Sequence, residues 1–375
     1  MNQITRLGAA DMPLTTDPAR SYTLPARFYR DPAILEAERE AIFFRSWWQV
    51  AHVCRLAEPG AYVTARIHDQ HVLVMRGTDG ALRAFYNVCQ HRGHRLLDGE
   101  GRAPVIRCPY HAWVYGTDGA LRQARNSQNV EGFDLAAFGL RPVAVETCAG
   151  FVFVNLDPTA VQLVAQAGGL EGEIRRIVPD LDAMVFARRD TYTLAANWKT
   201  VVDNFLECYH CAPAHKDFVD LVDMGSYRTI VHGIYSSQVA DRPRTTTSSA
   251  YTFGPGAVDF GYAGWFLWPN LTIWAFPGDP CVATLQIIPD GPERTIEHMD
   301  WYCLPPCASP QIEKAMRYMK DVLQPEDIRL CENVQEGLRS RGYDQGRFMV
   351  DRARSEISEH AVHHFQRMVL DALER

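Results

Sequence analysis

Cys89-Gln-His91 and Cys108-Pro-Tyr-His111 are two pairs of cysteine and histidine, separated by sixteen residues. Two thiolates and two imidazoles at this spacing suit a [2Fe–2S] cluster in which the cysteines bind one iron and the histidines bind the other. A zinc site with the same ligands is the main alternative, but zinc fingers usually pair cysteine with cysteine and histidine with histidine. We therefore predict two loops, each with one pair at its tip, that close over one iron–sulfur cluster.

The residues around the two pairs carry a family resemblance. The flanks Asn87-Val-Cys-Gln-His-Arg-Gly-His94 and Cys108-Pro-Tyr-His-Ala-Trp113 resemble the Rieske domain of ring-hydroxylating oxygenases. Respiratory-chain Rieske proteins have two further cysteines that form a disulfide, whereas this chain has His94 and Tyr110 at the matching positions. The resemblance thus implies an oxygenase-type cluster that relays electrons and is not itself the reaction site.

Composition limits the class of protein. A chain of 375 residues is long enough for two domains, and its net charge of -7 gives no reason to expect nucleic acid or an anionic membrane surface. The N-terminus lacks the apolar stretch of a signal peptide, and no apolar run reaches membrane-spanning length. Beyond the two cluster cysteines, the other eight lack the spacing of a disulfide framework, which favours reduced thiols in a cytoplasm.

Changes in sequence pattern divide the chain into three parts. Residues 1–48 contain a helix from the N-cap Asp31 to about Trp48, which we expect to pack on the catalytic domain. Residues 49–157 show short alternating strands and Asp-Gly turns, typical of a small β domain. Residues 158–375 combine strands with helical patterns at 199–211, 310–323, 325–340 and 356–373. The predicted fold class is α+β, a small β Rieske domain plus a catalytic domain whose antiparallel sheet wraps around helices.

A second constellation contains two histidines that are five residues apart. His210 and His215 bracket a helix end, because Pro213 cannot continue a helix. Two histidines and one carboxylate make the facial triad of non-haem Fe(II) oxygenases, which leaves coordination positions open for O2 and substrate. The pattern from Asn197 to His215 resembles the iron motif of Rieske oxygenases.

The third iron ligand is expected late in the chain. The segment Pro325-Glu-Asp327, followed by Glu332 and Gln335, resembles the family's ligand segment. The resemblance implies Asp327 as the carboxylate ligand, and Glu326 is its rival.

Glu207, three residues before His210, is the most diagnostic single residue. In Rieske oxygenases an acidic residue at this position binds a cluster histidine of the neighbouring subunit and an iron histidine of its own subunit. The resemblance implies an electron path from His111 of one subunit through Glu207 to His210 of the next, in a ring that is usually a trimer. Most of the family has Asp here, and Glu is associated with members that act on quaternary ammonium compounds. The alternative is a solvent-exposed helix acid.

Three weaker motifs are interpreted conservatively. Gly99-Glu-Gly101 is a poor dinucleotide loop, because Pro104 occupies the third glycine position. With no NAD or flavin site visible, electrons must come from a separate reductase, which in this family is a flavin and iron–sulfur NAD(P)H enzyme. Cys208-Tyr-His-Cys211 could suggest a redox dithiol, but the iron motif already explains the segment. His363-His364 is expected on a solvated helix face.

Longer stretches narrow the resemblance to one subgroup. Residues 82–89, 206–211, 325–330, 337–343 and 357–360 resemble the oxygenase components of the carnitine monooxygenase family. That family oxidises carnitine with O2 and releases trimethylamine and malic semialdehyde, while related enzymes demethylate glycine betaine or proline betaine. The chain departs from this pattern at two positions. They are Gln90, where many relatives have Pro, and Phe205, where close relatives have Tyr.

A trimethylammonium group cannot donate hydrogen bonds and is best held by aromatic faces, each contributing about 0.5–2 kcal/mol. The segment from Tyr251 to Phe276 contains nine aromatic residues. We predict substrate contacts at Phe205, Trp265 and Trp268. Packing in the core of the sheet is the alternative for each aromatic residue.

The sequence therefore predicts a terminal oxygenase with a Rieske [2Fe–2S] cluster and mononuclear Fe(II). It would hydroxylate a C–H next to a quaternary nitrogen and cleave C–N, converting carnitine or γ-butyrobetaine to trimethylamine plus an aldehyde. A betaine N-demethylase that releases formaldehyde, an arene dioxygenase that forms cis-diols, and an electron-transfer ferredoxin with an inactive second domain are the alternatives.

Overall fold

The computed structural model describes residues 5–8, 10–254, 261–306 and 309–374. The chain forms two compact units. The large unit comprises Met1–Ile42 and Gln166–Arg375, and the small unit comprises Phe43–Ala165. The small unit is built on β-strands, and the large unit combines an antiparallel sheet with helices, so the predicted α+β class is confirmed.

The small unit contains a seven-stranded and a three-stranded sheet. Its strands are Trp48–His52 (β1), Ala61–Ile67 (β2), Gln70–Arg76 (β3), Leu82–Tyr86 (β4), Glu100–Arg102 (β5), Ile106–Arg107 (β6), Val114–Tyr115 (β7), Leu121–Gln123 (β8), Pro142–Cys148 (β9) and Phe151–Asn155 (β10). They pair antiparallel in the orders β1-β10-β9-β4-β3-β2-β5 and β6-β7-β8. One Cys-His pair lies between β4 and β5, and the other lies in the hairpin between β6 and β7, so both pairs are on loops, as predicted.

The large unit is built on one antiparallel sheet of seven strands. They are Val185–Leu194 (β11), Arg228–Val231 (β12), Tyr235–Ala240 (β13), Tyr262–Leu267 (β14), Leu271–Ala275 (β15), Cys281–Pro289 (β16) and Thr295–Cys303 (β17). The strand order is β11-β17-β16-β15-β14-β13-β12. Every residue of β14 and β15 is buried, which means that both faces of the sheet are covered at its centre.

The described chain also contains short and long α-helices, some of which position the candidate site. They are Pro32–Glu38 (α1), Leu163–Gln166 (α2), Leu170–Ile177 (α3), Trp198–Phe205 (α4), Cys211–Ala214 (α5), Lys216–Leu221 (α6), Pro310–Tyr318 (α7), Gln324–Leu338 (α8) and His360–Glu374 (α9). Helix α4 packs against α8 and β16, and α8 also packs against β11. None of the helices in the described part of the chain has the length and apolarity needed to cross a bilayer.

The first helix is shorter than predicted. The Asp31 side chain caps α1 by accepting the Ala33 N–H at 2.8 Å, as the sequence indicates. A π-helical turn at Arg39–Phe43 follows, and Trp48 begins strand β1 instead of ending the helix. Tryptophan and valine in this segment fit a half-buried strand better than a helix end.

The helices expected at 310–323 and 325–340 form one continuous helical run. Helix α7 passes into a π-helical turn at Met319–Leu323, and α8 begins directly after it. Pro325 accounts for the π-turn, because its ring clashes with the carbonyl four residues earlier and it has no N–H to donate. The irregularity places Asp327 in the first turn of α8.

A buried ion pair joins the N-terminal segment to α4. Glu38 and Lys199 have fully buried side chains, and Lys199 Nζ lies 2.6 Å from Glu38 Oε1. Trp198 Nε1 donates to the other carboxylate oxygen at 2.8 Å. Because either charge alone would be costly to bury, the pair fixes the position of α1 against the helix that leads into the site.

His363 departs from its predicted environment. The sequence favoured a solvated helix face, but the residue is buried, and its Nε2 lies 2.8 Å from the Thr15 carbonyl oxygen and 3.1 Å from Ser21 Oγ. Burial lowers the pKa of His363. The N-terminal segment covers this face of α9, which a helical pattern read alone does not reveal.

Candidate functional site

The two Cys-His loops have the same pattern of backbone hydrogen bonds. The Cys89 N–H and the Cys108 N–H each donate to the carbonyl five residues later, at 2.8 Å in both loops. Each loop then closes through a residue in the left-handed region, Gly93 at φ 71° and Ala112 at φ 58°. The two pairs are therefore held by matching turns, which suits two equivalent loops around one shared group.

The four side chains of these loops fit the predicted cluster. Cys89 and Cys108 are both 2% exposed and belong to the core of the small unit, while the rings of His91 and His111 lie nearer the surface with centroids 4.7 Å apart. The Tyr115 hydroxyl lies 3.2 Å from Cys89 Sγ and can donate to it. Burial raises the pKa of the Cys89 thiol, so metal binding would release its proton. Buried thiolates inside and imidazoles outside match a [2Fe–2S] cluster with mixed ligands.

In the large unit, three predicted ligands converge. His210, His215 and Asp327 offer ligand atoms that all lie within 4.8 Å of one another. Asp327 Oδ1 is 2.9 Å from His215 Nε2 and 3.5 Å from His210 Nε2. His210 directly precedes α5, His215 directly precedes α6, and α8 supplies Asp327. Two imidazoles and one carboxylate facing a common point fit a mononuclear Fe(II).

The charges of these side chains support a cation site. Burial disfavours the charged form of His210, but hydrogen bonds to Asp327 and Glu207 raise its pKa to about 10. Burial would likewise favour the protonated form of Asp327, but the two histidines lower its pKa to about 2. The carboxylate thus stays ionised and holds protons on the rings, in the place where a metal ion would displace them.

A carboxylate binds the outer nitrogen of each histidine. Glu207 Oε1 lies 2.5 Å from His210 Nδ1, and Glu326 Oε2 lies 2.8 Å from His215 Nδ1. Such contacts fix the orientation of a ligand ring and raise its basicity. The structure places Asp327, and not Glu326, between the two Nε2 atoms. Sequence reasoning considered Glu326 only as a rival ligand and missed its place behind His215.

The three candidate ligands line a cavity within the large unit. Ten of its 21 lining residues are aromatic or aliphatic, and three acids and two histidines are among its titratable groups. The lining residues are Leu194, Val201, Asn204, Phe205, Glu207, Cys208, His210, Cys211, His215, Phe218, Tyr227, Gln238, Tyr262, Trp274, Leu285, Ile287, Glu297, Leu323, Gln324, Asp327 and Cys331. An apolar cavity above a metal site is a suitable place for a small organic substrate.

Of the three predicted substrate contacts, Phe205 lines this cavity, and its ring lies 5.1 Å from that of Trp274. Trp265 and Trp268 are not among the lining residues in the described part of the chain. Trp265 lies three positions after Tyr262 on β14 and so faces the opposite side of the sheet, where it donates to Glu173 at 3.1 Å.

Trp268 lies beyond the end of β14 and packs against Phe365 of α9, with ring centroids 5.9 Å apart. Composition alone does not show which face of the sheet each residue of a strand occupies. It therefore could not separate these tryptophans from the aromatic residues that line the cavity. Another aromatic residue of the segment, Phe260, lies outside the described residues.

The expectation of reduced thiols is wrong at three cysteines in the described part of the chain, Cys208, Cys211 and Cys303. Cys208 and Cys211 form a disulfide, and both residues line the cavity beside His210. The turn between α4 and α5 brings their Cα atoms to 4.9 Å, within the range that a disulfide spans. The Cys-x-x-Cys spacing is the sequence signal for this pairing. The segment was assigned from sequence to the overlapping iron motif, and the disulfide was not predicted.

Comparisons with known proteins agree with this arrangement. The model for the ring hydroxylating alpha subunit (catalytic domain) matches residues 181–375, and the model for the Rieske [2Fe-2S] domain matches residues 46–134. The carnitine monooxygenase oxygenase subunit of Escherichia coli (strain K12) is 41% identical over 355 residues, which cover 94% of this chain and 94% of that protein.

Solved structures give the same result. A quaternary ammonium Rieske monooxygenase, described in relation to carnitine oxidation by gut microbiota and inter-subunit electron transfer, matches with a TM-score of 0.89 and 37% identity over 97% of this chain and 100% of that chain. The quaternary ammonium Rieske monooxygenase CntA in complex with L-carnitine matches with a TM-score of 0.86 and 37% identity, covering 97% of this chain and 99% of that chain.

Proposed function

Because the chain belongs to the Rieske non-haem iron oxygenases as an oxygenase (alpha) subunit, we propose that it is the terminal oxygenase of a two-component carnitine monooxygenase. The observation that carries this proposal is the cavity, in which three candidate iron ligands meet an aromatic wall that suits a trimethylammonium group. The similarity to oxygenase subunits that act on carnitine supports the same substrate class.

The reaction replaces one C–H bond next to the quaternary nitrogen with C–OH. One O2, two electrons and two protons give the hydroxylated substrate and one water. The hydroxyl proton then leaves as the C–N bond breaks, which yields an aldehyde and trimethylamine. With carnitine the aldehyde is malic semialdehyde, and γ-butyrobetaine would react in the same way.

Different side chains would hold the two metal centres, orient the ligand histidines and line the substrate cavity. His210, His215 and Asp327 would hold Fe(II), and Cys89, Cys108, His91 and His111 would hold the [2Fe–2S] cluster. When bound, these centres supply O2 activation and electrons respectively. Glu207 and Glu326 keep the two imidazoles in one orientation through their Nδ1 atoms. The aliphatic and aromatic lining of the cavity excludes water from the reacting carbon.

We further propose that electrons reach the iron between subunits, from His111 of one copy through Glu207 to His210 of the next. Glu207 already binds His210 and keeps 12% of its side chain exposed, which leaves a face for a second imidazole. The relative described for inter-subunit electron transfer supports a path between copies of the chain. We propose that these copies form a homotrimer.

The electron source is a separate reductase, as expected for an oxygenase subunit. We propose a flavin and iron–sulfur NAD(P)H reductase, and the use of NAD(P)H supports a cytoplasmic site of action. Within this proposal, the free thiols Cys54, Cys148, Cys281 and Cys331 need no oxidising compartment, and the disulfide at Cys208 and Cys211 is a local feature of the cavity.

The test is a single turnover of chemically reduced, metal-replete enzyme with O2. L-carnitine, γ-butyrobetaine, glycine betaine, proline betaine and a neutral arene are offered separately, and products are identified by mass spectrometry. We expect trimethylamine from carnitine or γ-butyrobetaine. Formaldehyde with a demethylated amine would instead assign an N-demethylase, and a diol from the arene alone would overturn the substrate class.

A further inference from the structure

We propose that Glu297 is the counter-anion that recognises the trimethylammonium group of the substrate and sets its position over the iron site. The proposal rests on the proposed function, since it assumes a quaternary ammonium substrate in this cavity. It adds a specificity-determining residue on strand β17, remote in sequence from the iron motif.

Glu297 is a buried carboxyl without a cationic partner. The residue is 1% exposed and lines the same cavity as the three candidate iron ligands. Across the described residues, no Lys, Arg or His forms an ion pair with it, and its side-chain hydrogen bond comes from Gln324 Nε2. Burying an unpaired carboxylate is costly, so this arrangement is stabilised when a cation enters the cavity.

The remaining groups of the cavity agree with a cationic ligand. None of its lining residues in the described part of the chain is Lys or Arg, and its acids are Glu207, Glu297 and Asp327. Asp327 faces the histidines and Glu207 lies behind one of them, so both are committed to the iron site. Glu297 is the one acid of the lining that contacts neither histidine in the described structure, which leaves its carboxyl group available to a ligand.

Aromatic rings that can hold a methylated nitrogen line the same cavity as Glu297. Phe205, Tyr262 and Trp274 line the cavity, and the Phe205 and Trp274 rings are 5.1 Å apart. The positive charge of a trimethylammonium group is spread over its methyl hydrogens. Such a group is therefore bound by aromatic rings on several sides and by a carboxylate that it attracts without a hydrogen bond to the ligand. Glu297 thus supplies the charge that a cage of rings lacks.

The position of Gln324 explains how this carboxyl is held. Gln324 is the first residue of α8, directly after the π-helical turn, and Asp327 follows three residues later on the same helix. One helix end therefore fixes both the iron ligand and the partner of Glu297. A trimethylammonium group held by Glu297 would keep a constant distance from the iron site, which favours attack on one carbon.

Burial, with a further contribution from the charge of Asp327, raises the pKa of Glu297 to about 8 in the absence of ligand. Glu297 is therefore largely protonated near neutral pH, and a cationic ligand would displace that proton. The geometry and the missing cationic partner carry the inference, and the raised pKa agrees with it.

The test compares one cation with its neutral-headed isostere. The metal-replete holoenzyme is titrated without O2 with γ-butyrobetaine and with 5,5-dimethylhexanoate, in which carbon replaces the nitrogen, and dissociation constants are measured by calorimetry. The variants are Glu297→Gln, which keeps shape and removes charge, and Glu297→Asp, which keeps charge. Glu336→Gln is the matched control, because Glu336 lies exposed on α8 and outside the cavity.

We expect Glu297→Gln to weaken γ-butyrobetaine binding at least about tenfold, the low end for close charge pairs in desolvated sites. Binding of 5,5-dimethylhexanoate should change less than about twofold, and Glu297→Asp should retain part of the preference for the cation. Equal loss of both ligands would assign a structural role and overturn the proposal, as would unchanged γ-butyrobetaine binding.

Two controls keep the result decisive. If Glu297→Gln does not fold, the wild-type enzyme and Glu297→Asp still decide, because equal binding of both ligands by the wild type would overturn the proposal. Failure of the wild-type enzyme to bind or turn over any quaternary ammonium compound would instead refute the proposed function. Wild-type turnover of γ-butyrobetaine with an unchanged Glu297→Gln constant would refute this inference alone.

Discussion

Replacement of Glu326 by alanine tests whether the iron site depends on carboxylates behind its histidines. Glu326 Oε2 lies 2.8 Å from His215 Nδ1, so Glu326→Ala releases a ring whose Nε2 faces Asp327. Loss of a carboxylate behind a ligand histidine typically costs about 10- to 100-fold in metal affinity or activity. The Glu326 side chain is 31% exposed, against 12% for Glu207, so solvent screens it more. We therefore expect the low end, about tenfold or about 1.4 kcal/mol.

The assay is anaerobic titration of Fe(II) into protein whose mononuclear site has been emptied, with a competing chelator to set the free metal concentration. The visible spectrum of the [2Fe–2S] cluster should not change, which separates the two metal centres. Glu326→Gln keeps an acceptor oxygen for the Nδ1 proton and should fall between the wild type and Glu326→Ala. Glu336→Ala, on the exposed face of α8, should match the wild type. Equal Fe(II) affinity in Glu326→Ala and wild type would refute the reasoning.

Three further predictions concern other parts of the molecule. Glu207→Ala should bind Fe(II) more weakly, because Glu207 supports His210, and should lose turnover even when its metal content is fully restored, because the bridge between subunits is cut; metal analysis with steady-state rates checks this, and normal rates in a metal-replete sample would exclude the bridge. Glu38→Ala should lower the free energy of unfolding by about 3–5 kcal/mol, since it leaves Lys199 buried and unpaired; denaturant unfolding measures it, and a change below about 1 kcal/mol would show that the lysine finds water. Trp274→Ala should raise KM for a quaternary ammonium substrate by about 2- to 30-fold through loss of one aromatic face, and an unchanged KM would remove this ring from the binding site.

Most of the candidate metal ligands could be predicted from sequence, because they lie close to one another along the chain. His210 and His215 lie five residues apart on one turn, and each Cys-His pair lies on one loop, so spacing alone brings their donors together. Asp327 is distant in sequence, and its assignment came from the family resemblance. The structure brings it to both histidines through the packing of α4 on α8.

The sequence did not identify residues whose role depends on which face of a strand they occupy or on packing against distant parts of the chain. Glu297 lies on a strand whose pairing with its neighbours decides that it faces the cavity. Trp265 was expected there but lies on the other face of β14. His363 is buried only because residues near Thr15 cover α9. Periodicity gives the spacing of side chains along an element, but the face that is covered depends on the rest of the chain.

The measurement that tests the account most directly is the amount of trimethylamine formed when reduced, metal-replete enzyme meets O2 and L-carnitine in a single turnover. We predict trimethylamine close to the amount of occupied iron sites, with an equal amount of aldehyde and no formaldehyde. Formaldehyde with the trimethylammonium group reduced by one methyl would contradict the proposed position of the substrate. Consumption of O2 with carnitine recovered unchanged would contradict the proposed substrate.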